Sequence, residues 1–356
     1  MNIKSRFKDY QVNLVSDFSF IDNITLDEKT YVVADKNVYK LYYDRLFKRI
    51  SKEQLYLIEA VEENKTIKTA LEICEKMTGL SARRNARLVS VGGGIIQDIT
   101  GFVANILYRG IHWTFVPTTL LASCDSCIGG KTSLNYKSFK NLLGTFYPPD
   151  EIYICPVFFD TLSEKDFLSG LGEVVKFNFM YGEEGLVKIE ENISKLIDRD
   201  KEVLNQFVES SLLFKRRFIE EDEFDRGKRI QLNFAHTFGH AFETMSNYEI
   251  PHGTAVAMGT VTANYISMKR GMLDEEYVQR MENVLWNIIR INIAGLHINI
   301  DTILKAIHKD KKQVDNQITA ILMDRKMELH ILHDLQSEEI ADAVKYLFGH
   351  LKGNDN

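Results

Sequence analysis

Over its first part the chain alternates between short uninterrupted apolar runs and longer segments whose apolar positions recur every three or four residues. Thr30–Ala34 (TYVVA), Arg87–Val91 (RLVSV) and Trp113–Pro117 (WTFVP) are of the first kind. Apolar, β-branched runs without polar alternation predict strands buried on both faces. Val38 to Ile50 and Asn64 to Thr78 are of the second kind, the latter with Ile67, Ala70, Leu71, Cys74 and Met77 on one expected helical face. A further helix is expected from about Asp98 to Tyr108. Strand and helix in alternation predict a parallel sheet covered by helices, an α/β domain. From about Thr161 the pattern changes to long helices: Leu168–Tyr181, Val203–Glu221, and a pair within Gln231–Met268. A helix after Asp301, a polar stretch at Lys309 to Lys312 and a strand-like run, Ile318–Met323, complete the pattern. The change of period predicts two domains, 1–160 and 161–356.

Composition narrows the class without naming it. A chain of 356 residues is long enough for two sizeable cores. Its net charge of −6 argues against nucleic acid or an acidic membrane surface as partner. Four cysteines are too few for a disulfide scaffold and fit a reducing cytoplasm. No apolar run is as long as a membrane span, and the N-terminus lacks a signal-peptide core.

Three stretches carry candidate chemistry. Gln231–Gly259 (QLNFAHTFGHAFETMSNYEIPHGTAVAMG) holds three of the nine histidines. His236 and His240 lie one helical turn apart, and a turn at Pro251 would bring His252 back beside them. Imidazoles gathered this way are habitual divalent-metal ligands, and equally habitual partners of core polar groups. Spacing alone leaves open which of the three would ligate. Arg229 and Asn233 precede His236 by seven and three residues and are expected on its helical face. The second stretch is Gly92-Gly93-Gly94, where a strand runs into a helix. Such a turn lets a backbone approach a pyrophosphate at a helix N-terminus, although GGGIIQD lacks the usual GxGxxG spacing. The third is Ser123–Phe146, expected as a glycine-rich loop, with Asp125, Lys131, Lys140 and Asn141 suited to an anionic, hydroxylated ligand. Gly130-Lys131-Thr132 resembles the end of a P-loop, but Asp125 stands where its first glycine would be. Cys124-x-x-Cys127 has a thiol redox spacing without the surrounding pattern of a redox domain. Glu173 and Lys176, three apart in an apolar helix, are either a structural ion pair or part of a site.

Taken in order, GGGIIQDITGF, YRGIHWTFVPTTLLASCDSCIGGKT, KNLLGTFY, GEVVKF, LNFAHTFGHA and PHGTAVAMG resemble the motifs of 3-dehydroquinate synthase, of the sugar-phosphate cyclase family. The likeness runs from about Val32 to Met323. It implies an N-terminal Rossmann-like NAD-binding domain followed by a mostly helical metal domain, with the active site between them, in a homodimer. The resemblance maps the metal ligands, for zinc or cobalt, onto Glu173, His236 and His252, and gives His240 a part in proton transfer. It places NAD on Gly92, Gly93, Gly94, Asp98, Thr118 and Thr119. Asp35, Asn37, Glu62 and Lys65 fall toward the adenosine, with Lys131, Lys140 and Thr161 also near the cofactor. The sugar-phosphate substrate would be held by Asp125, Lys131, Lys140, Asn141, Lys176, Lys215, Arg229 and Asn233, with Lys311 or Lys312 on the phosphate. Arg109 would come from the neighbouring subunit.

The chain also departs from the family pattern. Gln97, Phe139 and Ala235 stand where glycine is usual, Cys127 for serine, Asp225 for glutamate, and Thr254 for glutamate beside the metal histidine. None removes a mapped ligand. The readings carried forward are a dehydroquinate synthase, a sister cyclase using another sugar phosphate, a metal- and NAD-dependent polyol dehydrogenase, and a catalytically silent binding protein.

Overall fold

A computed structural model describes residues 1–24, 26–137, 139–292, 298–309 and 318–353. The chain forms two compact units, one of Met1–Leu162 with Leu204–Asp225, the other of Ser163–Val203 with Arg226–Asn356.

The first unit is an α/β sheet structure. Its strands are β1 (Asn2–Ile3), β2 (Tyr10–Leu14), β3 (Thr30–Asp35), β4 (Leu55–Ile58), β5 (Arg87–Gly92), β6 (His112–Pro117) and β9 (Glu151–Ile154), in the order β1-β2-β9-β6-β5-β3-β4. All neighbours run parallel except β1 with β2. The central strands are those of the apolar runs, and Val32, Val33, Leu88, Val89, Phe115 and Val116 are buried because helices cover both faces. Helices α1 (Lys36–Tyr42), α2 (Ile67–Gly79) and α3 (Gly94–Ile106) follow β3, β4 and β5. Chain reversals therefore gather at the carboxyl ends of the parallel strands, where open α/β sheets bind ligands.

Several details differ from the sequence expectations. The helix expected over Val38 to Ile50 divides into α1 and a wide turn, Tyr43–Phe47. In α2 the buried stripe is Ala70, Ile73 and Met77, whereas Leu71 is 49% exposed. Leu71 lies off that stripe, so its apolar character did not report burial. α3 begins at Gly94, not near Asp98. The expected loop over Ser123–Phe146 is instead a wide helical turn, Ala122–Ser126, and an antiparallel hairpin of β7 (Lys131–Tyr136) and β8 (Phe139–Phe146). In β8 no residue is buried and apolar Phe139 and Leu142 are exposed, so no alternation of apolar and polar positions marks that strand.

The second unit is mostly helical, with α4 (Glu164–Phe179), α5 (Glu183–Ile197), α7 (His236–Met245), α8 (His252–Lys269), α9 (Glu275–Leu285), α10 (Ile300–Lys309) and α11 (Ser337–Gly353). A hairpin of β10 (Ile318–Met323) and β11 (Leu329–Leu335) adds to it. α8 is its axis: every residue from Gly253 to Ser267 is buried, as expected of a helix apolar or small all round. α4, α7, α9 and α11 pack on it. α6 (Lys201–Glu221) changes unit at Leu204, so Leu204–Asp225 belongs with the sheet although its sequence position lies within 161–356. Membership follows contacts such as Lys215 to Asp125 rather than chain order.

Candidate metal and cofactor sites

In the helical unit, α4 presents Glu173, and α7 and α8 present the histidines. His236 opens α7 after Ala235, whose left-handed backbone (φ 68°) turns the chain into the helix. Arg229 and Asn233 lie in a separate short helix, Lys228–Asn233, so the expectation that they share a helical face with His236 is overturned. The kink at Ala235 breaks the periodicity that the spacing argument assumed. Arg229 is nonetheless buried, and Asn233 donates from Nδ2 to the Ile230 carbonyl at 3.0 Å.

Both His236 Nε2 and His252 Nε2 stand 3.5 Å from Glu173 Oε1. Their other nitrogens are anchored by groups that only accept: His236 Nδ1 lies 3.0 Å from the Phe234 carbonyl, and His252 Nδ1 lies 3.2 Å from Glu243 Oε2. Each Nδ1 therefore carries its proton, leaving Nε2 facing Glu173. Ligand atoms around a tetrahedral ion with bonds of about 2.0–2.2 Å stand roughly 3.3–3.6 Å apart, so one carboxylate and two imidazoles at this spacing fit a divalent cation. Lys176 Nζ pairs with Glu173 Oε2 at 2.6 Å and donates to the Leu232 carbonyl at 3.0 Å. Burial disfavours charge on His252, but hydrogen bonds to Glu173 and Glu243 outweigh it and raise the imidazole to about 10.

His240 completes a triangle of imidazoles, with ring centres 5.3 Å from His236 and 5.9 Å from His252. A second group, His240, Glu243 and His252, is also close enough to converge on an ion. It would use the carboxylate that orients His252, and it lacks buried Glu173. Glu243 was not among the residues singled out from the sequence. Its position one turn after His240 on the same face was the available signal.

What lets Glu173 and His252 meet is backbone contact. Ideal Cβ atoms built at Gly172 and Gly253 would lie 2.0 Å from the Gly253 carbonyl oxygen and 1.7 Å from the Ser169 carbonyl oxygen. Only glycine at both positions allows α4 and α8 this approach.

In the sheet unit, the expected cofactor residues lie at carboxyl ends of parallel strands. Asp35 ends β3 and Asn37 follows it, Glu62 and Lys65 follow β4, Gly92 ends β5 with Gly93 and Gly94 after it, and Thr118 and Thr119 follow β6. Gly93 is the N-cap of α3, and a Cβ there would meet Thr119 Cγ2 at 3.0 Å. Asp98 pairs with buried Lys65 at 2.5 Å and accepts from Ser133; burial still pushes its carboxyl above the ordinary range. Lys65 also donates to Asn141 Oδ1 at 2.6 Å, and Asn135 donates to Glu62 at 2.8 Å. Thr161 shares a hydroxyl bond of 2.7 Å with Tyr42, away from the glycine turn in the hydrogen-bond network. Lys215 grips Asp125 through its carboxylate at 2.8 Å and its carbonyl at 2.6 Å. Lys131 pairs with Asp225. Lys140 and Arg109 are exposed, Arg109 in a left-handed conformation of φ 66°. Lys311 and Lys312 lie outside the described residues. The thiol of buried Cys127 is pushed up to about 12 by burial, which leaves it a poor nucleophile.

Models of the 3-dehydroquinate synthase N-terminal and C-terminal regions match residues 55–169 and 170–313. The 3-dehydroquinate synthase of Clostridium tetani is 36% identical over 325 residues, 90% of this chain and 86% of that one.

The chain belongs to the 3-dehydroquinate synthase family.

Among solved structures, 2-epi-5-epi-valiolone synthase from Streptomyces hygroscopicus, with NAD+ and Zn2+ bound, has a TM-score of 0.83 at 23% identity, covering 96% of this chain and 97% of its own. 2-Deoxy-scyllo-inosose synthase, complexed with carbaglucose-6-phosphate, NAD+ and Co2+, has a TM-score of 0.83 at 22% identity, covering 97% and 99%. At these identities the two structures establish the shared fold. No helix among the described residues is long and apolar enough to cross a membrane.

Proposed function

We propose that this member of the 3-dehydroquinate synthase family carries out the family reaction, converting 3-deoxy-arabino-heptulosonate 7-phosphate to 3-dehydroquinate and phosphate. The observation that carries the proposal is the cluster of buried Glu173 and Lys176 with half-buried His236 and His252, in a chain matched by the family across both its units. The cofactors named in the two cyclase structures support NAD and a divalent ion, zinc or cobalt, as its working partners.

Glu173, His236 and His252 would hold the ion, and Gly92–Gly94 with Thr118, Thr119 and Asp98 would hold the dinucleotide. When bound, NAD would supply a reversible hydride acceptor, and the ion would polarise substrate oxygens. Phosphate leaves and a carbocycle closes with no net consumption of NAD. This chain's residues supply the remaining work. The glycine turn admits a pyrophosphate to the N-terminus of α3, where backbone N–H groups and the helix dipole favour its charge. Lys176 offsets the charge of Glu173 in a site too dry for an unpaired carboxylate. Lys131, Lys140, Asn141 and Lys215 would offer donors to an anionic sugar, with Lys131 paired to Asp225 and Lys215 to Asp125. His240, beside the two ligand imidazoles, would hold and pass a proton. Arg229 and Asn233 would bind the substrate carboxylate and hydroxyls. In a homodimer, exposed Arg109 would reach the phosphate of the neighbouring subunit.

Arg229 decides between cyclases. A guanidinium holds a carboxylate through two parallel bonds that lysine cannot reproduce. Losing one charge-assisted bond costs about 1.5–3 kcal/mol, so Arg229→Lys should lose roughly tenfold to hundredfold in kcat/KM on the acid substrate. Phosphate release without net NADH is the assay. Equal activity of parent and mutant would sink the acid-substrate reading. A parent active only on a sedoheptulose phosphate lacking the acid would replace it with a sister cyclase.

A further inference from the structure

Gln97 stands in α3 one turn beyond the glycine turn, at a position where glycine is usual in the resembled motif. It is 3% exposed. Its Nε2 donates to the Ser126 carbonyl at 2.6 Å, and its Oε1 accepts from the Ser126 hydroxyl at 2.6 Å. The carbonyl can only accept, so the amide orientation follows from the contacts. Both ends of one buried side chain are thus spent on one residue of the segment that follows β6.

That residue adjoins Asp125, which Lys215 of α6 holds from the other side through carbonyl and carboxylate. Consecutive residues, Asp125 and Ser126, are therefore gripped by two helices. The wide turn Ala122–Ser126 is closed by a bond from the Cys127 N–H to the Ala122 carbonyl. The tie also reaches the cofactor turn: Gln97 N donates to the Gly93 carbonyl at 3.0 Å, and a Cβ at Gly94 would lie 3.7 Å from Ser126 Oγ.

We propose that Gln97 is a positioning residue that holds Asp125, through Ser126, in a fixed place relative to the Gly93-Gly94 turn. Without it Ser126 loses its side-chain tie to α3, while Asp125 keeps its bonds to Lys215 of α6. The effect on turnover rests on the reading of Asp125 as a substrate-binding group. The clamp itself does not.

The test uses the full chain carrying Gln97→Met, which keeps the volume and removes both bonds, and Ser126→Ala, which removes only the hydroxyl bond. Backbone hydrogen exchange over 122–130 is expected to quicken about tenfold in Gln97→Met, less in Ser126→Ala, and no further in the double variant than in Gln97→Met. Exchange in the strands β3 and β5 should stay as in the parent, which separates local loosening from misfolding. Under the dehydroquinate synthase reading, Gln97→Met should also raise KM for the acid phosphate roughly tenfold with NAD affinity within about twofold. Gln97→Met that folds and exchanges over 122–130 at the parental rate would overturn the clamp. Faster exchange with unchanged KM would overturn its role in positioning Asp125. A parent inactive on that substrate would count against the proposed function, while the exchange result would still decide the clamp. If Gln97→Met fails to fold, Ser126→Ala exchange decides it, a parental rate there overturning the proposal.

Discussion

Substitution of Gly253 by alanine should disable the candidate metal site without touching a ligand. The new Cβ would sit 1.7 Å from the Ser169 carbonyl oxygen, and nothing softer than backbone is in the way. A carbon needs roughly 3.3 Å from a carbonyl oxygen, so α8 and α4 must separate locally by roughly 1.6 Å. Gly253 follows His252 directly, and Ser169 lies one turn before Glu173 on α4. The shift therefore falls on the 3.5 Å approach of His252 Nε2 to Glu173 Oε1, taking it to roughly 5 Å, beyond the span of ligands on one ion. The Gly253 N–H to Ser169 Oγ bond of 3.0 Å would be strained as well. Overpacking of this kind costs about 1–3 kcal/mol, or roughly 2–12 °C in melting temperature. Zinc affinity should fall at least roughly tenfold to hundredfold, the loss seen when the supports of metal ligands are removed. Calorimetric titration of zinc into chelator-stripped protein and thermal unfolding without metal read the two effects separately. Gly349→Ala, a helical glycine with nothing within 4 Å of its built Cβ, serves as control and should keep parental zinc affinity. Parental zinc affinity in Gly253→Ala, with an unchanged melting temperature, would refute the claim that backbone contact sets this site.

Three other outcomes follow from particular groups. With His252 held up at about 10 in the ion-free protein, zinc uptake at neutral pH should release a proton from it, measurable as a dependence of the binding heat on buffer ionisation enthalpy; the release should shrink in His252→Ala, and an unchanged release would remove His252 from the site. Ala235 is held at φ 68°, so Ala235→Gly should raise the melting temperature by about 1–3 °C, and a lower one would show that its methyl packing outweighs its backbone strain. Hydrogen bonds from Arg270 hold the Glu339 and Asp334 carboxyls below their ordinary values. Depressed carboxyls contribute stability present above their unfolded values and lost as pH falls through the folded ones, so Arg270→Met should be less stable near neutrality and show a shallower loss below about pH 4. A denaturant midpoint series against pH would read this, and parallel curves for parent and variant would contradict it.

Much of the architecture was legible in the chain alone, for a local reason. Thr30–Ala34, Arg87–Val91 and Trp113–Pro117 are buried on both faces, so each carries the mark of its environment in its own residues. The glycine turn after β5 and the alternation of strand and helix likewise follow from backbone freedom and period. The spacing of His236 and His240, with a turn before His252, was enough to raise a metal site. It could not say which imidazoles would face the carboxylate. That depended on the anchoring of Nδ1 atoms by Phe234 and Glu243, and on the glycine contact that brings α4 against α8. The same limit explains the misreadings. A helical spacing from Arg229 to His236 assumed an unbroken helix, and Ala235 in the left-handed region breaks it. The chain alone shows that Gln97 departs from the family's glycine, but only the fold brings its amide onto Ser126. Periodicity averages the surroundings of one element, whereas a site is made of single atoms from several elements, and only packing fixes their distances.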